Sequence, residues 1–110
     1  MQAQHTIATG FTASEDHMNS VLENNKVTVL DMSYCPYCQA TKRTLAQNGV
    51  SAYVITLDQL PGGDASKQWC NTQFKHRTYP KVFFGKEFIG GNDALQAVVN
   101  SGQLQSRIGN

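Results

Sequence analysis

A chain of 110 residues, 40% of them hydrophobic and 15% charged, has the material for one packed domain and no room for a second, and its balance argues against disorder. A formal net charge of +1, with nine Lys and Arg that never form a run of five, provides no field for nucleic acid or an anionic membrane. No apolar stretch approaches the roughly 20 residues that span a bilayer. Met1-Gln2-Ala3-Gln4-His5 lacks the basic start and apolar block of a signal peptide, so the expected compartment is the cytoplasm.

Residues 1–13 hold little periodicity and are expected to be a poorly ordered extension, with the domain proper at 14–110. Ser14 followed by Glu15 and Asp16 reads as a helix start, its acidic residues near the positive end of the dipole, running to about Glu23 before Asn24-Asn25. Lys26 to Met32 is rich in β-formers, with Val27 and Val29 on one face, and is predicted as a strand. A helix from about Pro36 to Asn48 follows; Pro36 suits a first turn, and Gly49 suits the left-handed exit.

Ala52 to Leu57 forms a second predicted strand, and the Pro61-Gly62-Gly63 turn leads to a helix from about Asp64 to Lys75 with Cys70 and Phe74 on one face. Two apolar runs, Lys81–Phe84 and Glu87–Ile89, flank Gly85-Lys86 and signal a hairpin. After Gly90-Gly91, Asn92 or Asp93 is expected to cap a helix that turns Leu95, Val98 and Val99 inward; Gly102 ends it, and Leu104 and Ile108 suggest a last short helix. The order predicts an α/β domain: a parallel strand–helix–strand unit joined by an antiparallel hairpin into a four-stranded mixed sheet with helices on both faces.

The three cysteines are Cys35, Cys38 and Cys70, an odd count with two of them three positions apart. That pattern points to cysteines that do chemistry rather than to a secreted disulfide framework. If Cys35 sits at a helix start, its sulfur meets unpaired N–H groups and the positive end of the dipole, which favours a thiolate. Cys38, one turn on, can close a small disulfide ring with it, so Cys35 is read as the attacking and Cys38 as the resolving thiol. A zinc site would need a second pair of ligands, and Cys70, His5, His17 and His76 form none; no metal is expected. Cys70, beside Trp69 on an apolar helical face, reads as buried and inert.

Cys35-Pro36-Tyr37-Cys38, Thr78-Tyr79-Pro80 and Ile89-Gly90-Gly91-Asn92-Asp93 resemble, in order and spacing, the three signature segments of dithiol glutaredoxins in the thioredoxin superfamily. The resemblance covers about residues 14–110. It implies a thioredoxin fold and a monomeric glutathione-dependent oxidoreductase that reduces protein disulfides and glutathione mixed disulfides. Neither nucleic acid nor membrane is an expected partner. In that family the proline of the second segment is cis, so Pro80 would turn the backbone of Tyr79 beside Cys35, where it can pair strand-like with glutathione. Taken alone, a proline before a strand reads as an ordinary trans residue.

The family also binds the γ-glutamyl end of glutathione at the glycine-led helix start. The resemblance therefore assigns glutathione contacts to Tyr37, Lys67, Thr78, Tyr79, Pro80, Gly91, Asn92 and Asp93. Met32 stands where many members carry a basic residue, with Lys67 and Arg77 as substitutes, and Tyr79 stands where valine is usual. Asp31 beside the motif is expected to point away or to hydrogen-bond locally, since a carboxylate facing the thiol would oppose its ionisation. Some members hold a [2Fe–2S] cluster between subunits, which the proline following the first cysteine, here Pro36, disfavours.

Overall fold

Strand alternation settles which core each helix covers. The computed structural model describes residues 2–109, in the order β1 (Thr6–Ile7), α1 (Glu15–Asn24), β2 (Val27–Asp31), α2 (Pro36–Gln47), β3 (Tyr53–Thr56), a 3-10 turn (Leu57–Gln59), α3 (Gly63–Gln73), β4 (Lys81–Phe84), β5 (Glu87–Gly90), α4 (Asn92–Asn100) and α5 (Leu104–Ile108). The strands form one mixed sheet of order β1-β3-β2-β4-β5, parallel between β1, β3 and β2 and antiparallel from β2 through β4 to β5.

All five residues of β2 are buried, as its central place in the sheet demands. Val27 and Val29 of β2, Val54 of β3 and Val82 and Phe84 of β4 share a core with Leu45 of α2, Leu95 and Val98 of α4, and Leu104 and Ile108 of α5. Leu30, Ile55 and Phe83, on the other face, pack with Met18 and Leu22 of α1 and Cys70 of α3. The period of two thus divides the hydrophobic residues between two layers of helices.

The sheet has five strands, one more than the sequence pattern gives, and the additional one comes from the segment expected to be poorly ordered. Thr6 pairs with Tyr53 and Ile7 with Val54, and Ala8, buried, donates its N–H to the Val54 carbonyl at 2.8 Å. His5 clamps the same segment: the Ala52 N–H donates to Nδ1 at 2.9 Å, so Nε2 carries the proton and donates to the Lys42 carbonyl at 2.8 Å. A two-residue strand carries no readable alternation.

Local signals held elsewhere. Ser14 caps α1, accepting from the His17 N–H at 3.1 Å. Helix α3 begins at Gly63, one residue earlier than expected, and Gly63 lies so close to the preceding turn that a Cβ would come 2.3 Å from the Leu57 carbonyl oxygen.

Candidate active site

The loop between β2 and α2 delivers Cys35 to the first position of a helix. Cys35 is the N-cap of α2, with extended backbone (φ −98°, ψ 112°), and Pro36 occupies the first turn. The Cys38 N–H donates to Cys35 Sγ at 3.1 Å, placing a cysteine sulfur where Ser or Asp would ordinarily cap a helix. The Cys35 thiol is partly exposed and lies 3.4 Å from the Tyr79 carbonyl oxygen, to which it donates. Cys38 is fully buried, and burial, with a further contribution from its hydrogen bond to Cys35, pushes its thiol far above the ordinary range. The two thiols thus differ in access, and Cys38 is held protonated by burial. Tyr34 and Tyr37, 68% and 66% exposed, flank them.

Two carboxylates brace this corner, and neither is turned on Cys35. Asp31, fully buried, accepts from Thr56 Oγ1 at 2.6 Å and pairs with Lys42 Nζ at 2.7 Å, in keeping with the expected local bonding. Asp58 accepts from the Ser33 N–H at 2.8 Å and from the Ser33 hydroxyl, which ties the loop before Cys35 to the turn after β3 and holds the Asp58 carboxyl below its usual value.

Across from α2, the Tyr79-Pro80 peptide bond is cis. The Tyr79 side chain turns inward: its hydroxyl donates to Asn71 Oδ1 at 2.9 Å, and burial raises its phenol above the usual range. A groove of about 510 Å3 runs from Tyr37 past Thr78, Tyr79 and Pro80 to Gly91, Asn92 and Asp93. Seven of the eight predicted contact residues therefore line one concavity next to Cys35.

At the far end of this groove Gly90 (φ +129°) makes the turn into α4, a conformation L side chains rarely adopt, and a Cβ there would come within 3.0 Å of Ala94 Cβ. The expected Asn92 or Asp93 cap is corrected: Gly91 is the N-cap, and among the described residues no side chain caps α4. Asn92 is occupied otherwise, its Oδ1 accepting from Thr41 Oγ1 at 2.9 Å and so tying α4 to α2.

Lys67 is not brought to the groove. It lies on α3, where its backbone carbonyl receives the Tyr79 hydroxyl at 3.4 Å. Arg77 borders a separate depression with Asn71, Thr72 and Lys75. Met32 is buried among the side chains under α1 and α3, and Cys70 is fully buried there too, its thiol pushed up to about 11 by burial.

His76, which the sequence offers only as an unmatched zinc ligand, belongs to the groove. It lines the groove, receives or gives a hydrogen bond with Thr78 Oγ1 at 2.9 Å through Nε2, and is held below its ordinary value chiefly by burial. Its place two residues before Thr78 was the available signal.

Residues 27–89, more than half the chain, match the sequence model of the glutaredoxin family. The chain belongs to the glutaredoxin family. Glutaredoxin-2 of Schizosaccharomyces pombe is 34% identical over 91 residues, covering 83% of each chain. Monothiol glutaredoxin-S6 of Oryza sativa is 27% identical over 93 residues, covering 84% of this chain and 71% of the relative. Among solved structures, a buckwheat glutaredoxin–glutathione complex superposes with a TM-score of 0.79 at 30% identity, covering 84% of both chains. The α/β architecture of this glutaredoxin, with Cys35 before α2 and cis-Pro80 opposite, is the thioredoxin fold. The match to the family sequence ends at residue 89, so Gly91, Asn92 and Asp93 lie just beyond it.

Proposed function

We propose that this glutaredoxin is a glutathione-dependent thiol–disulfide oxidoreductase of the dithiol type. The observation that carries the reading is the unequal placement of the two thiols: Cys35 Sγ is accessible at the opening of α2 with an amide donor on it, while Cys38 is buried beneath. The amide and the helix dipole favour negative charge on Cys35 Sγ, and a thiolate is the attacking species in disulfide exchange.

In the first step Cys35 Sγ attacks the glutathionyl sulfur of a mixed disulfide. A Cys35–glutathione disulfide forms, and the target's sulfur leaves as a thiolate that takes a proton from solvent. A second glutathione thiolate attacks the bound glutathionyl sulfur, releasing glutathione disulfide and restoring the Cys35 thiolate. The net reaction turns one free glutathione thiolate and the mixed disulfide into glutathione disulfide and the target thiolate, a two-electron exchange between the two disulfide couples.

With a protein disulfide, Cys35 forms the mixed disulfide with one target sulfur. The buried Cys38 thiol then gives up its proton to the departing target thiolate and attacks Cys35 Sγ. The resulting Cys35–Cys38 disulfide is reduced by two glutathione molecules in turn.

The groove supports the same reading. The backbone of Tyr79 offers strand-like pairing to the cysteinyl unit, the uncapped start of α4 suits a carboxylate, and Asp93 suits an ammonium. The buckwheat relative is described as a complex with glutathione, which makes that tripeptide the first ligand to test. The odd cysteine count, with two thiols three positions apart, favours a reducing compartment, the cytoplasm, and the family resemblance favours a monomer.

The test is a glutathione-coupled assay on a glutathione mixed disulfide. Cys35→Ser is expected to reduce turnover to background, whereas Cys38→Ser keeps it within a few-fold of the parent and loses only the reduction of protein disulfides. Equal loss in both variants would contradict the single-thiol route.

A further inference from the structure

Lys81 opens β4 directly after the cis bond at Pro80. Val82 and Phe84 face the core beneath α2 and α4, so alternation sends Lys81 with Phe83 to the opposite side, under α3. The lysine is 0% exposed there. Among the described residues its Nζ meets no carboxylate. It donates to the His76 carbonyl and, at 3.2 Å, to the Thr78 carbonyl, and it lies 4.2 Å from the centroid of the Tyr79 ring. An ammonium withdrawn from water without a counter-ion is unfavourable, and an apolar chain of equal length would fill the same space. The cation therefore does something that packing does not require.

All three contacts converge on the short loop 76–79. That loop carries Thr78 and Tyr79 into the groove and sets the Tyr79 carbonyl 3.4 Å from Cys35 Sγ. We propose that Lys81 is a positioning residue: its ammonium clamps loop 76–79 from beneath and keeps the Tyr79 backbone in register with Cys35, so that the glutathionyl sulfur enters in line with the attacking thiolate. The inference rests on the glutathione reading above. It adds a residue that touches neither ligand nor reacting sulfur and acts through two carbonyls and one ring.

The titratable groups that interact with Lys81 are Cys70 and Lys67 from α3, and His76 and Tyr79 from the loop itself. Burial, with Lys67 adding to it and Cys70 opposing, pushes the ammonium down to about 8. The Cys70 thiol is raised to about 11, the Tyr79 phenol is raised and the His76 imidazole is lowered. The Lys81 ammonium is thus brought to where it loses its charge between about pH 7 and 9.

The experiment measures kcat and KM for a glutathione–cysteamine mixed disulfide from pH 6.5 to 9.5 in the parent, Lys81→Met and Lys81→Arg. At pH 7, Lys81→Met is expected to raise KM roughly three- to tenfold, the worth of about one ordinary hydrogen bond, with kcat nearly unchanged and an unfolding temperature no lower than the parent's. The parent's KM should climb above pH 8, while the methionine variant, having no charge to lose, stays flatter. Should Lys81→Met fail to fold, Lys81→Arg decides, because guanidinium keeps its charge and its KM should rise less with pH than the parent's. Parallel pH profiles, or an unchanged KM in Lys81→Met of an active parent, overturn the inference. A parent that does not turn over with glutathione at all overturns the functional reading on which it rests.

Discussion

Asp31 at the end of β2 and Lys42 in the second turn of α2 meet at 2.7 Å, with the carboxylate wholly buried and the lysine side chain 19% exposed. The pair binds the helix that carries both reactive cysteines to the central strand. Thr56 Oγ1 donates to the other carboxylate oxygen at 2.6 Å, so β3 joins the same junction.

Lys42→Met would leave that carboxylate buried without its cation. Removing one partner of a buried pair costs roughly 3–5 kcal/mol, and the low end applies because Lys42 keeps some contact with water. The double variant Asp31→Leu/Lys42→Met should recover most of the loss, less about 1 kcal/mol for the Thr56 hydroxyl left without its acceptor. Urea unfolding reads both, and a Lys42→Met midpoint equal to the parent's would show that the pair is not a structural tie.

Cys38 and Cys70 are both fully buried, with thiols that burial raises. Alkylation needs the thiolate and access. Reduced native protein treated with iodoacetamide at pH 7 should therefore take up one equivalent, on Cys35. Peptide mass spectrometry that found label on Cys70 before unfolding would contradict the burial of α3.

Asp58 holds its carboxyl below the ordinary value through the hydroxyl and N–H of Ser33. A depressed value in the folded state means that the unfolded chain binds the proton more readily. The stabilisation is therefore complete above the ordinary carboxylate range and is lost as pH falls below about 4. Asp58→Asn removes this dependence, so its stability should fall less steeply than the parent's between about pH 5 and 2. Acid titrations followed by circular dichroism compare the two, and superimposable slopes would rule out the Ser33 tie.

A methyl group on Gly63 would lie 2.3 Å from the Leu57 carbonyl oxygen, which is backbone and cannot swing aside. Gly63→Ala should destabilise the protein by about 1–3 kcal/mol, as overpacking does. The start of α3 would have to shift, and with it Asn71, the partner of the Tyr79 hydroxyl. A thermal melt is sufficient, and an unchanged midpoint would mean that the turn relaxes freely.

What the sequence determined by itself was whatever depends on neighbours along the chain. Ser14 capping α1, Pro36 opening α2 and the hairpin about Gly85-Lys86 are short-range choices of backbone and hydrogen bond, and they stand where the pattern put them. The same is true of Cys35 and Cys38, whose relation is one turn of helix.

Tertiary structure decided what depends on residues far apart in the chain. Strand β1 exists because β3 has a free edge and His5 finds Ala52 and Lys42, which no local period announces. Asn92, which reads as a cap, is drawn instead to Thr41 across the gap between two helices, and Gly91 takes the cap position. Lys67 is assigned to the groove by resemblance, yet it stands on α3 and is not among the residues that line it. Lys81 reads only as the first residue of a hairpin strand, and strand alternation buries its ammonium beneath the loop that faces Cys35. Charge and hydropathy describe a side chain, but the packing of the sheet against its helices sets which way that side chain must face.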